Sequence, residues 1–200
     1  MLRIGLTGNI GSGKSLICQV FEKLGTPIFY ADFKAKKILD SPILRPKLLA
    51  AFGTDIEDKN KNIINRKKLA AIVFTNKEAL KKLNSLIHPQ LQIEFKNWCL
   101  QHKKEKYVIQ EAAILFENGF TDLFDKTIVV ASPQNIRLQR VMERDGASEA
   151  AVLARMENQW SDSKKEAAAD FIIYNDGQEL ILPQVLKLHQ LFSSSHLDLK

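Results

Sequence analysis

Residues 8–15 read Gly-Asn-Ile-Gly-Ser-Gly-Lys-Ser, a glycine and four residues followed by glycine, lysine and serine. That pattern wraps phosphate groups: its glycines leave room for backbone N–H groups to turn toward an anion, at the start of a helix whose dipole favours negative charge. Lys14 would reach the β- and γ-phosphates, and the Ser15 hydroxyl would ligate Mg²⁺. Asp32 is a candidate to orient an acceptor hydroxyl and take its proton, although aspartate also favours the N-cap of a helix starting near Phe33. Glu111 is a candidate to hold Mg²⁺ through water, and Glu117 to contact substrate or fix its own loop. Arg137, Arg140 and Arg144 fall at i, i+3 and i+7 on one helix face. Guanidinium groups there could clamp a transferring phosphoryl group or form a solvated stripe; Arg140 is the favoured clamp.

These groups need a sheet to bring them together. Leu2–Thr7, Pro27–Tyr30, Tyr107–Gln110, Thr127–Ala131 and Phe171–Tyr174 read as strands. Helices fit 15–24, 134–144, 148–158 and 178–192, with Pro183 a candidate for the true start of the last. Alternating strands and helices predict an α/β fold with a five-stranded parallel sheet in three layers. In such a sheet, ligands gather at the carboxyl ends of the strands, where the phosphate loop, Asp32 and Glu111 all belong. Residues 33–104 show no convincing strand, only helical patterns broken at Pro42, around 53–65 and at His88-Pro89. The stretch is too long for a loop, so it reads as a helical insertion. Gly146–Gln159 reads as a helical cover that would keep water from the phosphoryl group. The tail, 193–200, is polar and expected to fray. The expected division is therefore a nucleotide-binding core (1–32, 105–136 and 160–200), an insertion (33–104) and a lid (137–159).

Composition narrows the class. The chain has 200 residues, 45% of them hydrophobic, enough for one core and a small inserted subdomain. Its net charge of +6 suits an anionic partner. No apolar run approaches membrane-spanning length and residues 1–7 do not resemble a signal peptide, so a soluble, cytoplasmic protein is expected. Cys18 and Cys99 lack metal-ligand spacing and read as buried thiols. A switch GTPase would need an asparagine-lysine-x-aspartate base reader, and neither Asn60-Lys61 nor Asn76-Lys77 continues that way. No recognition motif or aromatic platform for nucleic acid is present. A small-molecule kinase is the reading that remains.

As a set these residues resemble the dephospho-coenzyme A kinase family, from residue 3 to about 192. "IGLTGNIGSGKS" looks like its first motif, with Asn9 where glycine is usual. "YADFKAKKIL" resembles an aspartate-alanine-aspartate segment, with Tyr30 replacing the first aspartate. "INRKKLAAIVF" and "LNSLIHP" look like substrate-side motifs, "AAILFENG" like a proline-leucine-leucine-phenylalanine-glutamate stretch with Ala113 in place of the proline. "RVMERDG" resembles the arginine motif, with Arg137 where glutamine is common, and "ADFIIYNDG" the last strand and its turn.

The resemblance implies a P-loop kinase fold and transfer of the γ-phosphoryl of ATP to the ribose 3′-hydroxyl of dephospho-coenzyme A. Asp32, Lys14 and Arg140 would be catalytic. ATP would be held by Gly8, Asn9, Ile10, Gly11, Ser12, Gly13, Lys14, Ser15, Leu16 and Arg140, with Asn175 and Gly177 near its adenine. Asp32, Arg66, His88 and Glu117 would face the acceptor, although His88 also reads as a turn residue ahead of Pro89. Ser15 and Glu111 would serve Mg²⁺. A nucleotide or nucleoside kinase is the alternative, and a monomer or weak homo-oligomer is expected.

Overall fold

The structure, a computed structural model, describes every residue except 59, 61, 74, 118 and 195–200. In chain order the elements are β1 (Leu2–Thr7), α1 (Lys14–Lys23), β2 (Ile28–Tyr30), α2 (Ala31–Ile38), α3 (Arg45–Phe52), β3 (Glu57–Asp58), β4 (Ile63–Ile64), α4 (Arg66–Val73) and α5 (Lys77–Gln101). They continue with β5 (Tyr107–Glu111), β6 (Lys126–Ala131), α6 (Gln134–Asp145), α7 (Glu149–Met156), α8 (Asp162–Ala168), β7 (Phe171–Tyr174) and α9 (Ile181–Ser193). The chain divides into two compact units, 1–30 with 102–200, and 31–101.

The first unit holds a five-stranded sheet in the order β2-β5-β1-β6-β7, parallel at every pairing. β1 is central because its run of apolar residues is buried on both faces, Ile4 and Leu6 completely. On one side Ile17, Phe21, Val185, Leu188 and Phe192 from α1 and α9 pack against Ile4, Ile109, Ile128 and Ile173 of the sheet. Register sets the edge that matters: Leu6 lies opposite Glu111 and Thr7 opposite Val129, so the chain leaves β1 level with the carboxyl ends of its neighbours. Asn175 follows β7 on that same edge, its N–H donating to Ala131 O at 2.8 Å.

The opposite edge is held by two carboxylates. Asp125 accepts from Arg3 N at 2.7 Å and from the Arg3 side chain. Asp170 accepts from Thr127 N and Thr127 Oγ1, both at 2.8 Å.

The second unit has its own core, in which Ile38, Leu48, Ile56, Leu69, Leu83 and Ile87 meet. Two sequence expectations are corrected here. β3 and β4 form a short antiparallel ribbon, Glu57 opposite Ile64, where no strand was expected; two residues per strand carry no alternation to read. Nor does the chain break at His88-Pro89, since α5 runs through it. Leu83, Ile87, Phe95 and Cys99 form one buried stripe on both sides of the proline, and that burial outweighs the roughly 3 kcal/mol an interior proline costs.

Other boundaries also moved. The last helix begins at Ile181, with Pro183 in its first turn, where no N–H is needed. α8 was not anticipated at all. The second unit runs from Ala31 to Gln101 and takes in Asp32. The frayed-tail expectation lies, from residue 195, outside the described residues. Both cysteines are buried, and burial raises the Cys18 thiol far above its ordinary pKa.

Burial alone would raise the Asp125 and Asp170 carboxyls, but their hydrogen bonds from Arg3 and Thr127 outweigh it and hold both below the ordinary aspartate value. The stability they contribute is present above about pH 4 and is lost as pH falls through their lowered folded-state values. Asp170→Asn should flatten the acid limb of a stability–pH curve measured by urea denaturation, relative to the unchanged chain.

Candidate active site

Between β1 and α1 the phosphate loop is shaped by side chains that grip its carbonyl groups. Lys14 Nζ donates to Gly8 O at 2.9 Å and Asn175 Nδ2 to Ser12 O at 2.8 Å. Arg137 Nη1 lies 3.4 Å from Ile10 O, and Arg140 Nη1 lies 3.5 Å from Gly11 O, longer and weaker contacts of the same kind. A trans peptide carries its N–H opposite its carbonyl. Turning the Ile10 and Ser12 carbonyls to these cations and amides therefore turns the Gly11 and Gly13 N–H groups the other way. α1 then starts at Lys14 with no side-chain bond from its N-cap, Gly13, and a helix amino terminus attracts an anion. Ser15 and Leu16, both exposed, stand at that helix start.

Two glycines are required by what lies behind the loop. Gly11 has φ +81, and a Cβ there would stand 2.5 Å from Arg137 O. Gly13 has φ +92, and its Cβ would stand 2.2 Å from Asn175 Nδ2. Asn9 needs no such freedom, because its φ is not positive. Its side chain is buried and donates to Trp160 O and Asp162 Oδ1.

The three arginines share α6 but have different partners. Arg137 is 3% exposed and bonds Ser132 O at 2.9 Å and Asp162 Oδ2 at 2.5 Å. It buttresses the loop from beneath. Arg140 is half-buried and reaches Ser132 Oγ, Asn175 O and Asn175 Oδ1 as well as Gly11 O. Arg144 turns to Asp145, which Arg155 of α7 also grips; Arg144 first, then Arg155, hold that carboxyl far below its usual range.

Asn175 is buried and commits its amide to Ser12 and Arg140, which puts its side chain under the loop. Gly177, φ +85, has open space around it. Glu111 is 9% exposed at the end of β5, opposite Leu6 on one side and Tyr30 on the other. Glu117 faces inward: its Oε1 pairs with Lys165 Nζ at 2.9 Å and accepts from Trp160 N at 3.1 Å. These contacts tie Glu117 to α8 and to the segment before it. Lys165 is 1% exposed and also donates to Ala113 O. Burial lowers its pKa, against the opposing pull of Glu117.

In the second unit, Asp32 is exposed in the first turn of α2, which begins at Ala31; it is inside the helix and is not the N-cap. Arg66 opens α4 and bonds Lys36 O and Asp40 Oδ2. His88 lies within α5, half-buried, and burial lowers its pKa so that the imidazole is neutral near pH 7. It is not a turn residue.

Sequence reasoning missed Ser132, Gln159, Asp162 and Lys165. Ser161-Asp162 was the available signal: Ser161 Oγ caps α8 by accepting from Lys164 N, and such a cap is readable.

A sequence profile described as dephospho-CoA kinase matches residues 2–180. The chain belongs to the dephospho-CoA kinase family. It is 34% identical to a dephospho-CoA kinase from Bacteroides fragilis over 188 residues, 94% of this chain and 91% of that one. A dephospho-CoA kinase from Geobacillus kaustophilus is 39% identical over 184 residues, covering 88% and 89%. The solved dephospho-CoA kinase from Campylobacter jejuni aligns with a TM-score of 0.70 at 32% identity, over 96% of each chain. A shikimate kinase from Bacteroides thetaiotaomicron shares the fold, TM-score 0.52, at 16% identity. Within the dephospho-CoA kinase family, the nucleotide or nucleoside kinase alternative is not favoured.

Gly13→Ala tests the loop's geometry. The left-handed φ and the clash with a buried amide should cost about 1–3 kcal/mol and displace Asn175. Thermal unfolding should fall by a few degrees, and Mg²⁺–ADP affinity, measured by calorimetry, should fall at least about tenfold, the equivalent of 1.4 kcal/mol.

Proposed function

We propose that this chain transfers the γ-phosphoryl group of ATP to the ribose 3′-hydroxyl of dephospho-coenzyme A, releasing ADP and coenzyme A. The observation that carries the donor half is the set of tied loop carbonyls, which leaves the Gly11 and Gly13 N–H groups directed away from them. The acceptor follows from the family match, which spans both units.

In the proposed reaction the acceptor oxygen attacks the γ-phosphorus while the bond to the β,γ-bridging oxygen breaks, and charge spreads over the equatorial oxygens. Lys14 exchanges the Gly8 carbonyl for the phosphates, and Arg140 offers a second cation from the other side of the loop. Gly8–Leu16 embrace the phosphates; Asn175 and Gly177 support the nucleotide end of the site. Asp32 follows the last residue of β2 by two positions, and we assign it the acceptor proton. Arg66 and His88 we assign to acceptor binding, His88 as a neutral hydrogen-bonding group.

Ser15 would supply a hydroxyl ligand to Mg²⁺, and Glu111 would hold the ion through a bound water. Among the described residues no group of three or more acidic, histidine or cysteine side chains converges on a point. So sparse an oxygen set suits Mg²⁺, which keeps waters and takes phosphate oxygens. Mg²⁺ bound with ATP would neutralise charge developing on the phosphates.

We read residues 146–159, within the lid of 137–159, as the cover, with α7 at its centre. Among the described residues no helix is long and apolar enough to cross a membrane, and two buried thiols suit a reducing compartment. We propose that the reaction takes place in the cytoplasm and that a monomer or weak homo-oligomer carries it out.

An ADP-release assay over an acceptor panel decides the reading. Turnover should require dephospho-coenzyme A and Mg²⁺; equal turnover with AMP, CMP or a nucleoside would replace it with a nucleotide or nucleoside kinase. Asp32→Asn should fold and bind ATP but lose about 10²–10⁴ in kcat, and near-normal turnover would remove Asp32 from the proton transfer.

A further inference from the structure

The crest of the phosphate loop is tied to a segment some 150 residues away, and the established chemistry uses none of those ties. Ile10 N donates to Gln159 Oε1 at 2.8 Å. Asn9 Nδ2 donates to Trp160 O at 3.0 Å and to Asp162 Oδ1 at 2.7 Å. The other oxygen of the same carboxylate, Asp162 Oδ2, accepts from Arg137 Nη2, and Arg137 in turn reaches Ile10 O. Asp162 thus touches the crest twice, once through Asn9 and once through Arg137.

The far side of this segment is anchored as firmly. Trp160 N donates to Glu117 Oε1, which pairs with the buried Lys165. The Trp160 ring stacks on Phe116 at 6.2 Å between centroids, and Lys164 Nζ lies 3.5 Å over its face. A tie transmits order only if its other end is fixed, and here it is.

We propose that Asp162 is a positioning residue for the nucleotide: acting through Asn9 and Arg137, it holds the loop crest in one conformation before the phosphates arrive. A loop rich in glycine otherwise loses much conformational freedom on binding, and a preorganised one loses less, so affinity rises without any new contact to the ligand. The inference rests on the donor half of the proposed function and says nothing of the acceptor.

The test is a double-mutant cycle on the full chain, read as Mg²⁺–ADP affinity by calorimetry with no acceptor present. Asn9→Ala and Asp162→Ala should each weaken ADP about tenfold, and the double variant should lose well under the product of the two, because both variants remove the same Asn9–Asp162 bond. In turnover the KM for ATP should rise while the KM for the acceptor stays unchanged. Asp162→Ala leaves Arg137 buried without its counter-ion; if that variant does not fold, Asp162→Asn replaces it in the cycle. Wild-type ADP affinity in the Asn9 and Asp162 variants, even with a lower melting temperature, overturns the proposal, as do additive effects. A chain that binds Mg²⁺–ADP but fails to phosphorylate dephospho-coenzyme A would overturn the acceptor assignment and leave this result readable.

Discussion

A peptide group presents either its carbonyl or its N–H to a given side, and a phosphate attracts only the N–H. The phosphate loop of this chain must therefore turn its carbonyls outward against their mutual repulsion and its own flexibility. It does so because Lys14, Arg137, Arg140 and Asn175 each hold one of them. Most of the first unit follows from that constraint. The sheet order sets β1 between β5 and β6, so α6, which follows β6, can pass beneath the loop. β7 beside β6 delivers Asn175 to the same edge. Gly11 and Gly13 are then required because Arg137 and Asn175 stand where a Cβ would go.

The same arrangement divides the work among cations. Arg137 spends its charge on Asp162 and on loop carbonyls in a buried setting, where an unpaired guanidinium would be costly. Arg140 is half-buried, and among the described residues it bonds carbonyl, hydroxyl and amide oxygens rather than a carboxylate. In the proposed reaction its charge is the one offered to the phosphoryl group. Arg144 is spent on Asp145, and through it on α7. One helix supplies a buttress, a proposed charge stabiliser and a tether, each set by what its neighbours offer.

Much of this was legible in the sequence. The phosphate loop, its flanking strand and helix, and all five strands of the main sheet follow from local pattern, because buried parallel strands are written as short apolar runs. The family and its reaction followed from motifs spread over nearly the whole chain. What could not be read was partner choice. The spacing of Arg137, Arg140 and Arg144 says only that they share a face; Asp162 and Asn175, both distant in sequence, decide which is buried. α5 passes through Pro89 because a buried stripe on both sides overrides a local breaker, and β3 and β4 are too short to show a period. Asn9 stands in the same class. Its identity departs from the family's usual glycine, and only its contacts with Trp160 and Asp162 give it a purpose.

In the proposed function the propped loop directs the Gly11 and Gly13 N–H groups at the nucleotide's phosphates. Backbone amide NMR of the full chain, titrated with Mg²⁺–ADP to saturation, examines it at those two atoms. The account predicts large downfield shifts of the Gly11 and Gly13 amide protons, as strong charge-assisted hydrogen bonds form. Binding at saturation with both resonances unmoved would contradict it.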